Sequence, residues 1–206
     1  MSLPRAHLVL LHGLGADASD LRPVGEALAA WVPGRDWCIH TPAAPVAPVS
    51  LNGGLRMPSW FDIYGIEPTA PVDQAGIAAA AGRIAAEIDT LPGDAPVWLG
   101  GFSQGGVVAL HAACRVQRPL AGLMLLSTWL PDATGFAGAP ACIELPIFVG
   151  HGTQDDIVPA PAAERLVARL RAVGATALTA RFYPMAHQIC PEELGDLAEW
   201  MSAASG

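Results

Sequence analysis

The sequence carries little charge and no lysine. Only 15% of its 206 residues are charged, and 11 arginines face 19 acidic residues, which gives a net charge of −8. A phosphate backbone would be repelled by this balance, so the composition argues against nucleic acid as a partner. Without lysine, the chain cannot form the lysine-bearing glycine-rich loop that binds nucleotide phosphates. The hydrophobic content of 52% excludes an intrinsically disordered chain.

Long apolar runs are also missing. No apolar stretch approaches the length of a membrane span. The first residues lack the sustained apolar core and the cleavage site of a signal peptide. We therefore expect no integral membrane contact and a cytoplasmic location.

Cysteine is scarce, and its spacing matches no known metal motif. The four cysteines lie far apart, at Cys38, Cys114, Cys142 and Cys190. Two disulfides are formally allowed by this count, but without an export signal we expect four reduced thiols. Because no group of His, Asp and Cys has metal-ligand spacing, we predict no metal and no cofactor.

Short apolar runs alternate with helical patterns along the whole chain. The apolar runs are typical of buried strands and occupy 7–11, 37–40, 95–99, 122–127, 146–152 and 176–183. Helices are predicted after Asp20, over 72–90, after Ser103, over 161–173 and from Pro191. This alternation predicts one α/β domain over residues 1–206, with a mostly parallel central sheet and helices on both faces.

One of these strands ends in the pattern Gly-x-Ser-x-Gly, at residues 101–105. A serine on such a strand-to-helix turn is exposed above the sheet, beside the free N–H groups of the new helix. A chance match is the alternative, since the chain contains 22 glycines. The strand before Ser103 and the helix after it favour a nucleophile.

Two further residues complete a candidate triad in the order that this architecture uses. Asp155 and His187 each follow a predicted strand, and the order Ser, Asp, His is that of the α/β architecture. Residue counting alone leaves Asp156 as an alternative to Asp155. A glycine-rich loop at 12–15 also follows a strand and can turn backbone N–H groups toward the same crevice. His12 and His151 each precede a glycine, and we expect them to brace loops by hydrogen bonds.

The segment 41–71, called the flap below, is rich in proline and glycine and shows no clear period. A segment of this length within a domain more often covers a functional site than connects two elements. We predict that it covers the active site, with Trp60 as a wall of the substrate pocket. The alternative is that Trp60 and Phe61 anchor the flap to the core.

Six motifs, in order and nearly end to end, carry a family resemblance. They are LHGLGAD, TPAAPVAPVSLNGG, MPSWFDIYG, GFSQGG, HGTQDDIVP and YPMAHQICPEEL. The chain resembles the bacterial carboxylesterase and acyl-protein thioesterase (phospholipase/carboxylesterase) family of α/β-hydrolases. Relatives similar to this chain often carry proline where Asp156 stands, so the resemblance selects Asp155. The chain departs from many relatives at Ala186, where they have glycine.

The resemblance implies a role for each site residue. Ser103 would be the nucleophile, His187 the base and Asp155 the carboxylate that orients it, with the backbone N–H groups of Leu14 and Gln104 as the oxyanion hole. It also implies an apolar acyl pocket near the MPSWFDIYG segment. The predicted substrate-binding residues are Trp60, Leu55, Trp129 and Ile157.

The predicted function is hydrolysis of carboxylic esters through an acyl-enzyme. One alternative is an acyl-protein thioesterase or lysophospholipase that acts on longer acyl chains. Another is a non-catalytic binding protein on a hydrolase scaffold. The expected partner is a small-molecule ester or thioester, and a homodimer is left open.

Overall fold

The computed structural model describes residues 3–67, 69–132 and 136–204, without the side chains of 140 and 141. Pro68, within the predicted flap, and both ends of the predicted domain lie outside these residues. In chain order the described elements are β1 (Arg5–Leu11), α1 (Arg22–Trp31), β2 (Asp36–His40), β3 (Val46–Val49), a 3₁₀ turn (Ser50–Asn52), β4 (Leu55–Pro58), α2 (Gln74–Asp89), β5 (Val97–Phe102), α3 (Gln104–Ala113), β6 (Leu120–Leu126), α4 (Pro140–Ile143), β7 (Ile147–Gly152), α5 (Ala160–Ala172), β8 (Leu178–Tyr183) and α6 (Pro191–Ala204).

Six strands form one parallel sheet in the order β2-β1-β5-β6-β7-β8. The predicted α/β class with a mostly parallel sheet is therefore confirmed. Because parallel strands all end at the same edge, the loops after β1, β5, β7 and β8 open together. These loops carry Leu14, Ser103, Asp155 and His187, respectively.

Helices cover both faces of the sheet, as predicted. Alternate residues of each central strand point to opposite faces and are buried in both directions. On one face Leu8, Trp98 and Phe148 pack with residues of α1 and α6. On the other face α2, α3 and α5 cover a second set of strand residues, which includes Leu99 and Leu125.

The flap contains regular structure that the sequence pattern did not predict. Strands β3 and β4 pair antiparallel, from Val46 opposite Pro58 to Val49 opposite Leu55. Gly53 and Gly54 make the turn with φ values of +65° and +83°, which glycine adopts without a steric penalty. Two prolines within strands of only four residues explain why no alternating pattern was visible.

Some helix starts differ from prediction by one or two residues, as at α2, which is predicted from residue 72 and begins at Gln74. Asp20 does not cap α1; the N-cap is Leu21, without a side-chain cap, and the helix begins at Arg22 with a proline in its first turn. Proline has a fixed φ suited to this position and lacks the N–H that would need a cap. Helix α2 is capped by Asp73, whose carboxylate accepts a hydrogen bond from the Gly76 N–H at 2.9 Å.

The expectation of four reduced thiols is wrong for one pair. Cys114 and Cys142 form a disulfide, while Cys38 and Cys190 are free. The two bonded residues are 28 positions apart and share no recognisable motif, so only the packing of α4 beside the end of α3 brings them together. None of the helices described combines the length and the apolar composition needed to span a membrane.

Candidate active site

Ser103 lies on a sharp turn between β5 and α3. Its φ of +53° and ψ of −119° belong to a region that residues with a side chain rarely adopt. The turn is possible because glycine flanks it: a Cβ on Gly101 would overlap the Gly105 carbonyl, and one on Gly105 would overlap the carbonyls of Leu11 and His12. This close approach is the strand–turn–helix geometry that the Gly-x-Ser-x-Gly pattern predicts.

Strand β6 fixes the backbone of Ser103 from the side. The Ser103 N–H donates to the Leu126 carbonyl at 2.9 Å, and the Thr128 hydroxyl donates to the Ser103 carbonyl at 2.7 Å. The serine side chain is nearly buried, at the edge where the strands end. Thr128 was not singled out from the sequence, because its contact with Ser103 spans 25 residues.

Asp155, which is buried, and His187, which is partly buried, form a pair at the same edge. His187 Nδ1 lies 2.7 Å from Asp155 Oδ2. The other carboxylate oxygen of Asp155 accepts the N–H groups of Ile157 at 3.0 Å and Val158 at 2.8 Å. Asp156 is exposed, so the structure selects Asp155 as the carboxylate that contacts the imidazole.

His187 and Ser103 are neighbours through Phe102. The imidazole packs on the Phe102 ring with centroids 4.7 Å apart, and Phe102 directly precedes Ser103. The next residue, Gln188, is held by the Ser127 hydroxyl, which donates to its carbonyl at 3.3 Å. The hydrogen bonds of the described residues include none between Ser103 Oγ and His187. Catalytic hydrogen bonds of this kind are often long until a substrate is bound.

A second histidine, His151, lies beneath Asp155. Its Nε2 is 2.8 Å from the Val158 carbonyl and 3.5 Å from Asp155 Oδ2. Burial lowers the pKa of the His151 imidazole, so the ring stays neutral and donates one N–H to this turn. His151 therefore braces the loop after β7, as expected from the sequence.

Of the two predicted oxyanion donors, Gln104 follows Ser103 directly in the chain, and Leu14 belongs to a loop that contacts Ser103. Gln104 is the first residue of α3, where backbone N–H groups have no intrahelical partner. The loop that carries Leu14 reaches Ser103 at Gly13, where an added Cβ would come within 3.5 Å of the serine Cβ. The Gly15 N–H donates to the Pro58 carbonyl at 2.9 Å, which ties this loop to the flap.

Two adjacent spaces open on the flap side. The inner cavity, about 160 Å³, is lined in part by apolar residues and in part by charged ones: Phe61, Ile63, Ile66, Trp129 and Leu130, with Asp62, Glu67, Asp73, Asp132 and Arg165. The outer groove, about 410 Å³, is lined by residues that include Leu51 and Ile157. Both spaces share Ile66 and Ala162, so they are contiguous.

The four predicted substrate-binding residues have different surroundings. Trp129 lines the inner cavity, and Ile157, 55% exposed, lines the outer groove. Leu55, 63% exposed, lies on β4 and is not part of either lining. Trp60 is 4% exposed and donates its indole N–H to the His12 carbonyl at 2.9 Å, which is the anchoring role that the sequence left as the alternative.

Some site residues were not singled out from the sequence. Ile66 and Leu130 line the inner cavity, and the Gln104 side chain contacts the flap. The sequence contains both motifs that make the contact between Gln104 and the flap, MPSWFDIYG and GFSQGG, but only the fold brings them together. Among the described residues, no group of three or more His, Cys, Asp or Glu side chains could hold a metal ion.

Fold and site together define a hydrolase of the α/β-hydrolase class. A model of the Phospholipase/Carboxylesterase family matches residues 2–205, and the chain belongs to that family. It is 34% identical to acyl-protein thioesterase 1 of Cryptococcus neoformans var. neoformans serotype D over 221 residues, which covers 97% of this chain and 92% of the relative. Identity to acyl-protein thioesterase 1 of Mycosarcoma maydis is also 34%, over 96% of this chain and 90% of the relative.

Solved structures agree with this placement. Acyl-protein thioesterase 2 of Zea mays superposes with a TM-score of 0.89 at 29% identity, covering 100% of this chain and 96% of that one. Arabidopsis thaliana SOBER1 superposes with a TM-score of 0.86 at 27% identity, covering 98% of this chain and 100% of that one. The predicted family and enzyme class are therefore confirmed.

Proposed function

We propose that this protein hydrolyses carboxylic esters and thioesters with Ser103 as nucleophile, His187 as base and Asp155 as the orienting carboxylate. The observation that carries the proposal is the 2.7 Å contact between Asp155 Oδ2 and His187 Nδ1, made beside the strained turn of Ser103. A serine hydroxyl needs such a base because it is a weak nucleophile when protonated.

The first step forms an acyl-enzyme. His187 Nε2 accepts the hydroxyl proton while Ser103 Oγ attacks the substrate carbonyl carbon, and the Asp155 carboxylate stabilises the resulting imidazolium. The imidazolium then returns the proton to the departing alcohol or thiol as the bond between carbonyl carbon and leaving group breaks. In the second step His187 deprotonates a water, which attacks the acyl carbon and releases the acid and Ser103.

The N–H groups of Leu14 and Gln104 stabilise the negative oxygen that develops in both steps. The proximity of Gly13 to Ser103 and the position of Gln104 at the start of α3 support this assignment. Donors of this type are already oriented before reaction, so each contributes on the order of 10² to 10³ in rate.

We assign the acyl chain to the inner cavity because two of its lining residues are tied to Ser103 and its neighbour, although Ser103 itself is not in the lining. Trp129 follows Thr128, whose hydroxyl donates to the Ser103 carbonyl. The carbonyl of Phe61 accepts a hydrogen bond from the Gln104 side chain. A cavity of this size accepts a group on the order of six carbon atoms, so longer chains must extend into the outer groove.

Esters and thioesters remain two candidate substrates of this one mechanism. The relatives named acyl-protein thioesterase support the thioester candidate. The open groove beside the small cavity supports chains longer than six carbons as well as short ones. A lysophospholipase would place the same long chain in this groove.

A substrate panel tests the proposal. Aryl esters and thioesters of acids with two to sixteen carbons, and a lysophospholipid, are compared between wild type and Ser103→Ala, with Ser202→Ala as a matched control on α6. We expect Ser103→Ala to abolish hydrolysis and labelling by a fluorophosphonate probe, and Ser202→Ala to retain both. A wild-type protein that neither hydrolyses the panel nor takes the label would instead be a binding protein.

A further inference from the structure

The side chain of Gln104 is completely buried and makes hydrogen bonds to three consecutive flap residues. Its Oε1 accepts the Trp60 N–H at 3.0 Å, and its Nε2 donates to Ser59 Oγ at 3.0 Å and to the Phe61 carbonyl at 2.7 Å. Ser59 Oγ donates onward to the same Phe61 carbonyl at 2.7 Å. The amide is therefore satisfied on both its oxygen and its nitrogen by the flap.

Trp60 continues this network to the loop that carries Leu14. Its indole N–H donates to the His12 carbonyl at 2.9 Å. The His12 ring donates from Nδ1 to the Gly13 carbonyl at 2.7 Å and accepts the Ala44 N–H on Nε2 at 3.1 Å. Hydrogen bonds thus run from the residue after the nucleophile, through the flap, to the residue before Gly13.

Oxyanion binding alone does not require glutamine at position 104. The oxyanion donor there is the backbone N–H, which every residue except proline provides. The side chain of Gln104 could be apolar without changing that donor. A buried side-chain amide is costly unless it is hydrogen-bonded, and oxyanion binding does not need one at this position. The three hydrogen bonds to the flap therefore have a purpose other than oxyanion binding.

We propose that Gln104 is a positioning residue: its side chain keeps the inner cavity in a fixed position relative to Ser103 and Leu14. The proposal rests on the proposed function at Ser103. Through the Phe61 carbonyl, Gln104 fixes one wall of the cavity that takes the acyl chain. Through Trp60 and His12, it fixes the loop of the second oxyanion donor. Acyl-chain selectivity is then set at position 104.

The test compares acetyl and hexanoyl esters of the same phenol in Gln104→Met and wild type. Methionine has a similar length but makes none of the three bonds. An acetyl group occupies little of the cavity of about 160 Å³, whereas a hexanoyl chain is close to its volume. We expect kcat/KM to fall about 100-fold for the hexanoyl ester and about tenfold for the acetyl ester. All rates are divided by the fraction of enzyme that a fluorophosphonate titrates.

Ile88→Ala is the matched control for lost stability. Ile88 is buried at the C-terminal end of α2, at the sheet edge away from Ser103. Its loss lowers stability but leaves the ratio of hexanoyl to acetyl activity unchanged. Hydrogen exchange gives a second readout: the amides of the flap exchange faster in Gln104→Met but not in Ile88→Ala.

The outcomes separate the two proposals. If the ratio of hexanoyl to acetyl kcat/KM in titrated Gln104→Met stays within twofold of the wild-type ratio, the positioning role is overturned, whatever the hydrogen exchange of the flap amides shows. Persistent hydrolysis in Ser103→Ala overturns the proposed function instead. If Gln104→Met does not fold, Ser59→Ala replaces it, because that change removes only the hydroxyl between Gln104 and Phe61. We then expect a threefold fall in the ratio, and no fall contradicts the role.

Discussion

At the scale of single residues, burial distinguishes two neighbouring carboxylates. Asp155 is buried and accepts three hydrogen bonds, whereas Asp156 is exposed to solvent. The sequence could not separate them from spacing alone, and the choice of Asp155 depended on the family resemblance. The turn after β7 decides the matter physically, because it directs one side chain into the site and the next one outward.

Asp155→Asn and Asp156→Asn are therefore expected to differ strongly. An asparagine at 155 cannot stabilise the imidazolium and favours the wrong tautomer of His187, so we expect kcat to fall about 10⁴-fold. Asp156→Asn is expected to stay within twofold of wild type. Steady-state kinetics with one short ester, at equal titrated enzyme, measure both. Equal losses in the two variants would contradict the assignment.

Glu193 makes stability depend on pH. It is fully buried near Gly150, and the Cys190 backbone N–H, which faces its carboxylate, makes no hydrogen bond of regular geometry with it. Burial is the main cause that raises the pKa of Glu193 from 4.5 to about 8. The folded state thus keeps a proton that the unfolded state releases, so stability falls as pH rises from about 4.5 to about 8 and then levels.

Glu193→Gln is expected to remove this dependence. In this variant the free energy of unfolding should no longer fall by about 1 kcal/mol per pH unit between pH 5 and pH 8. Urea unfolding at unit pH steps measures it. Glu192→Gln, an exposed neighbour in the same helical turn, serves as the control and should keep the wild-type slope.

At the scale of elements, the start of α3 packs directly on the end of β1, which brings together the two segments that carry the proposed oxyanion donors. Gly105 lies directly on the carbonyls of Leu11 and His12, and no larger residue fits without moving the strand or the helix. The sequence predicted this approach from the Gly-x-Ser-x-Gly pattern. The hairpin β3–β4 was missed, because its strands are short and contain proline.

Gly105→Ala tests this contact, with Gly82→Ala as its counterpart. The added methyl at 105 is expected to lower stability by about 1–3 kcal/mol and to reduce kcat/KM on the order of 100-fold, because the oxyanion donors separate. Gly82 lies within α2 with open space around it, so alanine there should raise stability by about 0.5–1 kcal/mol. Thermal unfolding and ester hydrolysis measure both variants.

At the scale of the whole molecule, a disulfide joins the end of α3 to α4. Helix α3 begins at the Ser103 turn, and the segment between Cys114 and Cys142 contains β6 and the cavity residue Trp129. Disulfides persist in oxidising compartments. The bond thus does not favour the cytoplasmic location expected from the sequence. That location stays a prediction, and the homodimer stays an open possibility.

Removal of the disulfide is expected to cost stability but little activity. Closing a loop of this length restricts the unfolded chain, so Cys114→Ala/Cys142→Ala should be about 3 kcal/mol less stable. Urea unfolding with and without dithiothreitol measures the loss. Cys38→Ser is the control: it keeps the Cys114–Cys142 bond, so dithiothreitol should lower its stability as much as that of the wild type, whereas the double variant should not respond. A wild-type protein whose stability does not respond to dithiothreitol would contradict a stabilising bond.

The sequence by itself determined the layered α/β architecture, the order of the six sheet strands along the chain with the helices between them, and the places where Ser103, Asp155 and His187 follow strand ends. Apolar periodicity and glycine positions are local properties, so they can be seen in a single chain. Only the tertiary structure decided which aspartate contacts His187, that Trp60 anchors the flap, that the Gln104 side chain binds the flap, and that Cys114 meets Cys142. Each of these depends on burial and on contacts between residues distant in sequence, which local pattern does not encode.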